Sequence, residues 1–153
     1  MDDTRYGREA QYAGEGGANL NALTPVASAR LLWELFDGTL PLSAAARSRA
    51  QTTLLRNAAN PQAADPYYQM SEYLAGNLPG DAEIWSKAGH NLWTGEPRSS
   101  WFKHDMLRVQ GAGRKPLIVV AMTQGEGLAK DNPAAFPAIG RLIWDMTAEI
   151  THG

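Results

Sequence analysis

The chain has no cysteine. Disulfide cross-links, thiolate nucleophiles and cysteine-ligated metals are therefore excluded. No apolar run approaches the ~20 residues that a membrane span requires. Neither sign of charge is in excess: 14 Lys and Arg against 16 Asp and Glu leave a formal −2. The basic residues are scattered, which argues against a nucleic-acid or anionic-membrane partner. There is no internal repeat and no low-complexity segment. The glycine-rich stretch Gly14-Glu15-Gly16-Gly17 follows no strand and precedes no Lys-Ser/Thr, so it is not a phosphate loop, and no cofactor is expected. The start, Met1-Asp2-Asp3, is acidic and has no apolar stretch behind it, so no signal peptide is expected. Either the protein is cytoplasmic, if Met1 is the true start, or the front of an exported precursor is not included.

What is present suffices for one core: 153 residues, 44% of them hydrophobic. Residues 1–23 show no period of 2 or 3.6 and read as a loop-like lead; residues 24–153 carry the recognisable structure. Thr24-Pro25 starts a helix, with Thr24 as N-cap and Pro25 in the first turn. Val26, Ala29, Leu32, Trp33 and Phe36 form its face, and Gly38 ends it. Ser43 caps a second helix to about Asn57, broken by Asn60-Pro61. Asp65-Pro66 starts a short third helix, with Tyr67, Met70, Tyr73 and Leu74 on one side and Gly76 at its end. Trp33 and Trp144 lie on helical faces and are expected in the core.

The period changes at residue 82. Ala82–Ala88, Trp101–Val109 and Leu117–Met122 read as strands, separated by Thr94-Gly95-Glu96-Pro97 and by Gly111-Ala112-Gly113. Asn132-Pro133 opens a final helix with Phe136, Ile139, Ile143, Met146 and Ile150 at helical spacing. Ile139, Ile143 and Met146 are expected to face the sheet. The fold class is α+β: a consecutive antiparallel three-strand meander, packed by the C-terminal helix and preceded by a small helical region. Leu117–Met122 is apolar at every position, the pattern of a strand buried on both faces. A consecutive meander leaves it at an edge, so a further partner is expected there: a missing N-terminal half of the same domain, or self-association.

The stretch Ile84-Trp85-Ser86-Lys87-Ala88-Gly89 carries the clearest chemical signal. It delivers a cationic side chain and then a backbone without Cβ to a strand, a means of holding an anionic ligand. Its order relative to its neighbours resembles the C-terminal portion of the serine β-lactamase and penicillin-binding-protein superfamily. Leu78-Pro79-Gly80 leading into Lys87-Ala88-Gly89 is similar to the lead-in to that family's Lys-Thr/Ser-Gly strand. Thr24-Pro25 with its helix resembles the helix after the family's active-site loop. Val119–Gln124 resembles the strand that runs into the last helix. The resemblance covers residues 20–150.

The resemblance implies acyl transfer on an amide or ester of a small-molecule or peptide substrate, of β-lactam or cell-wall type. A serine would attack, a lysine would act as base, an oxyanion hole would stabilise the intermediate, and water would deacylate. It implies that Lys87 stabilises a bound carboxylate and lowers the proton affinity of a neighbouring catalytic group. The His90 backbone N–H would donate to the oxyanion hole, and Ala88 and Gly89 would line the substrate. Glu15 is the nearest candidate for the water-activating glutamate. Trp93, with Trp85 and Trp101, could line a cleft for an apolar acyl group, or pack across strands. The resemblance also implies a periplasmic or secreted location and a role in antibiotic resistance.

The departures are specific. Ala88 stands where the family has Thr or Ser, and no Ser-Asp-Asn element is present. The sole Ser-x-x-Lys, Ser100-Trp101-Phe102-Lys103, falls after the Lys-x-Gly strand. In a strand, i and i+3 face opposite ways, so hydroxyl and ammonium would not converge. The chain is therefore expected to be a fragment lacking the nucleophile and to be inactive alone. The alternative is a non-catalytic binding module that holds an acidic peptide or cell-wall ligand near Lys87. A metal site at His90, His104 and Asp105 lacks ligand spacing, and no metal is expected.

Overall fold

The structure is a computed structural model that describes residues 23–148. Its elements are α1 (Pro25–Phe36), α2 (Ala44–Leu54), β1 (Leu55–Arg56), β2 (Glu83–His90), β3 (Phe102–Gln110), β4 (Leu117–Gln124) and α3 (Ala135–Met146). The strands form one antiparallel sheet in the order β1-β2-β3-β4. The α+β class and the meander are as expected. The sheet has a fourth strand because the second helix stops at Leu54 rather than Asn57. Leu55 turns extended (φ −60°, ψ 133°), and Leu55 and Arg56 pair with Trp85 and Ile84.

The N-caps read from sequence are present. Thr24 Oγ1 accepts from the Ala27 N–H (3.2 Å), and Ser43 Oγ accepts from the Ala46 N–H (3.2 Å). Of the expected stripe on α1, Leu32 is buried and Phe36 packs on the sheet, but Val26 and Trp33 point to solvent, and Ser28 and Leu35 complete the buried face. α2 caps α1 in turn. Arg47 donates to the Glu34, Leu35 and Leu40 carbonyls, and Gln51 donates to that of Leu35. These groups satisfy carbonyls that a helix end leaves free. The expected third helix is one 3-10 turn, Pro66–Tyr68, followed by turns. Gln69 has φ +56°, which a right-handed helix cannot continue through. Tyr67 is consequently exposed, while Met70, Tyr73 and Leu74 are buried.

Strand alternation sorts the sheet into two faces. Ile84, Ser86, Lys103, Asp105, Leu107 and Val109 are buried on one side, with Met70, Leu74, Phe136 and Trp144. On the other side Trp85 and Arg108 meet Phe36 of α1: the rings of Trp85 and Phe36 lie edge to face at 5.0 Å, and the Arg108 guanidinium sits over both. β4 lies at the sheet edge beside β3 only, and Leu117–Met122 is half-buried rather than buried on both faces.

α3 packs through Phe136, Pro137, Gly140 and Trp144. The expected face is corrected: Ile139 and Met146 are exposed, and Ile150 lies outside the described residues. The cause is Gly140. Without a Cβ it lets α3 settle against the Leu74 carbonyl, and that rotation turns the longer aliphatic residues outward. Trp144 is in the core as expected, and Trp33 is not.

A Cβ at Gly140 would overlap the Leu74 carbonyl, whereas one at Gly80 meets nothing within 4 Å. Gly140→Ala is therefore expected to destabilise by about 1–3 kcal/mol, the scale of overpacking, despite a helix-propensity gain of about 1 kcal/mol. Gly80→Ala should stay within about 0.5 kcal/mol. Urea unfolding of both variants checks this; a Gly140→Ala protein as stable as the parent would contradict the packing described.

Candidate active site at the open edge of the second strand

β1 covers β2 only as far as Ile84 and Trp85. Beyond that point the outer edge of β2 has no neighbouring strand among the described residues. The Asn91 N–H donates to the Phe102 carbonyl (2.9 Å), and Gly89 stands opposite His104. Antiparallel ladders alternate. The backbone groups of Lys87 and Gly89 therefore face β3, and those of Ala88 and His90 face outward. The His90 N–H is thus presented at an open edge.

Lys87 lies on the same edge. Its Nζ donates to the Gln69 side-chain carbonyl (3.3 Å) and to the Ala88 carbonyl. Partial burial and then the nearby Arg56 charge lower its pKa from the ordinary lysine value, and Asp105 opposes the shift. Ala88 is buried, pairs with Asp105 in register and points into the core face. The methyl therefore contacts no ligand space; only the backbone of Ala88 reaches the edge. Gly89 faces the opposite way, and a Cβ there would meet nothing within 4 Å.

Gly89 and His90 line a cleft of about 650 Å³ with Asn91, Phe102, His104, Met122, Thr123, Gln124 and residues 23–25 at the start of α1. His104 Nδ1 accepts from the Thr123 N–H (3.1 Å), which leaves the ring proton on Nε2 in the neutral tautomer. Burial lowers the His104 pKa, against a backbone hydrogen bond to Lys103. The ring stacks loosely on Phe102 at 5.2 Å. The cleft roof is tied down by side chains. Asn91 bonds the Ser99 carbonyl (2.6 Å) and the Phe102 N–H (2.8 Å), and Gln124 bonds the Pro97 and Ser100 carbonyls.

Trp93 is half-exposed beside Trp101, with ring centroids 6.3 Å apart, and does not line this cleft. Glu15 lies outside the described residues. Ser100 sits in a turn rather than a strand. Its Oγ donates to the Glu96 carbonyl (2.6 Å) and accepts from the Thr94 N–H (2.9 Å). Lys103 is buried on the core face, its Nζ 5.2 Å from the Tyr73 ring and 5.4 Å from that of Phe136. The two residues of the Ser-x-x-Lys letters thus do not meet. His104 and Asp105 are adjacent on β3 and face opposite sides, so they do not converge with His90.

Sequence reading missed Gln69, Phe102, Met122 and the cleft role of His104. Alternation alone places Gly89 and His104 each on a face; only the register shows that the faces coincide.

Behind the site, Asp105 is buried. Oδ1 accepts from Ser86 Oγ (2.8 Å), and Oδ2 accepts from the Leu74 N–H (3.0 Å). Desolvation raises its pKa from 3.8 to about 6, and the two hydrogen bonds oppose that shift.

The architecture is that of a class A β-lactamase-type serine hydrolase fold, represented here by its C-terminal portion. TLA-1 extended-spectrum β-lactamase is similar over 94% of this chain and 48% of its own, with TM-score 0.66 and 17% identity. A β-lactamase from Burkholderia vietnamiensis is similar over 90% and 45%, with TM-score 0.59 and 21% identity. An ancestral class A β-lactamase is similar over 88% and 44%, with TM-score 0.54 and 25% identity. The chain thus spans about half the length of the solved structures it matches. No protein-family model and no curated protein matches it. No helix among the described residues is long and apolar enough to cross a membrane.

Asp105 has a raised folded-state pKa, so its stabilising contribution is present below about pH 4 and is lost as pH rises through about 6. The shift of roughly two units corresponds to about 3 kcal/mol. The stability difference between the parent and Asp105→Asn should therefore move by about that amount towards the variant from pH 4 to pH 7. Denaturant unfolding across that range measures it; a pH-independent difference would contradict a buried, titrating carboxyl.

Proposed function

We propose that the chain supplies one wall of an acyl-transfer site of serine β-lactamase type. The carrying observation is Lys87 and the outward His90 N–H side by side on the open edge of β2. In this reading Lys87 attracts the substrate carboxylate and favours the ionised form of its neighbours. The His90 N–H stabilises the developing oxyanion, and the β2 edge orients an extended amide or ester substrate. The half-buried cleft beside Gly89, with Phe102 and Met122, accepts an apolar acyl group. The nucleophile comes from a polypeptide segment bearing a Ser-x-x-Lys helix, because Ser100 and Lys103 are held apart. A β-lactam or cell-wall-peptide substrate and a periplasmic site of action follow from the same reading.

The separation of Ser100 from Lys103 favours a second reading. With no serine–lysine pair brought together among the described residues, the chain suits a module that holds an acidic peptide near Lys87 without turning it over.

The chain alone should not be acylated by a fluorescent penicillin. Supplied with the N-terminal half of a class A β-lactamase, it should be. Lys87→Ala should then reduce the acylation rate by roughly 2–4 kcal/mol of transition-state stabilisation, while Ser100→Ala should change it little. Binding of acidic peptide without acylation would favour the second reading, and stoichiometric labelling of Ser100 in the chain alone would overturn both.

A further inference from the structure

Gln69 has a left-handed backbone (φ +56°) without being a glycine. That conformation favours Gly, and after it Asn or Asp, whose short polar side chains bond locally. Gln brings neither advantage, so the backbone alone does not account for the residue. Such a backbone persists where its surroundings fix it, and here both flanks are fixed. On one side Tyr68 Oη accepts from the Asn57 N–H (2.9 Å). On the other Met70 is in the core, and the Leu74 N–H is held by Asp105 (3.0 Å). The chain turns at Gln69 between these anchors, and the side chain reaches the edge of β2.

There the amide meets Lys87. Oε1 accepts from Nζ (3.3 Å), and Nζ also donates to the Ala88 carbonyl. An ammonium has three donors and no acceptor. Two of them hold the charge at the edge, and the third is left for a ligand. Because the ammonium only donates, the amide oxygen is the atom that faces it. The NH2 group of Gln69 therefore points away from Nζ, and among the described residues it bonds no acceptor. It stands one amide width from the ammonium. A carboxylate has two oxygens and can take one donor from each group. A lysine alone is a point charge that attracts any anion. Two fixed donors of different kinds select a carboxylate.

We propose that Gln69 is a carboxylate-binding residue of this site, forming with Lys87 a two-point clamp that selects ligands with a free carboxylate beside an amide. The proposal rests on the reading in which Lys87 attracts a substrate carboxylate. It adds that Lys87 does not do so alone.

NMR titration of the full chain with N-acetylalanine and with N-acetylalaninamide, read at the His90 backbone N–H, tests it. The acid should bind at least tenfold more tightly than the amide. Gln69→Glu keeps an oxygen on the ammonium but loses the NH2 donors, and should weaken the acid at least tenfold. Gln69→Gly suits the left-handed backbone. It should weaken the acid at least threefold without lowering the urea midpoint, so that the loss is not one of folding. Lys87→Ala should abolish binding of the acid. If Gln69→Gly binds the acid as the parent does while Lys87→Ala does not, the clamp is overturned and the reading of Lys87 stands. If Lys87→Ala also binds as the parent does, or the parent does not distinguish acid from amide, the reading of Lys87 fails and the clamp with it.

Discussion

The buried Asp105 carboxylate holds the molecule's main layers in register. Through Ser86 it links β3 to β2, and through the Leu74 N–H it pins the 69–78 segment to the sheet. That segment seats α3 at Gly140 and presents Gln69 to Lys87. A lone buried carboxylate is costly, which is why its pKa rises to about 6. The fold accepts the cost because an apolar residue there would leave the Leu74 N–H and the Ser86 hydroxyl without partners. The neighbouring Lys103 is handled differently: its ammonium lies among the Tyr73 and Phe136 rings, and burial lowers its pKa.

The two ends of the sheet serve different ends. At β2 the open edge is short, bounded by β1, and polar, with a cation and an outward N–H beside a cleft. At β4 it is long and uncharged. In the proposed reading the first holds an anionic, extended acyl substrate; the second leaves strand backbone without a neighbour among the described residues.

Much of this was legible in the sequence. The caps Thr24 and Ser43, the three long strands and the placement of Lys87 and Gly89 follow from local chemistry and period. The failures share a cause. Leu55-Arg56 became a strand because of pairing with Ile84 and Trp85, which no local pattern reports. The 65–76 segment leaves the helix at Gln69, whose φ of +56° no local period reports. The face of α3 was misread because Ile139, Ile143 and Met146 have the stronger apolar period, while a glycine decides the packing. In the site, His104 and Phe102 joined Gly89 only through the strand register.

Amide hydrogen exchange along β2 tests the central claim most directly. The open edge predicts alternation: slow exchange at Lys87 and Gly89, whose N–H groups face β3, and fast exchange at Ala88 and His90, whose N–H groups face outward. Protection at Ala88 and His90 equal to that at their neighbours would contradict the account, since the edge would already be filled and could not receive a substrate.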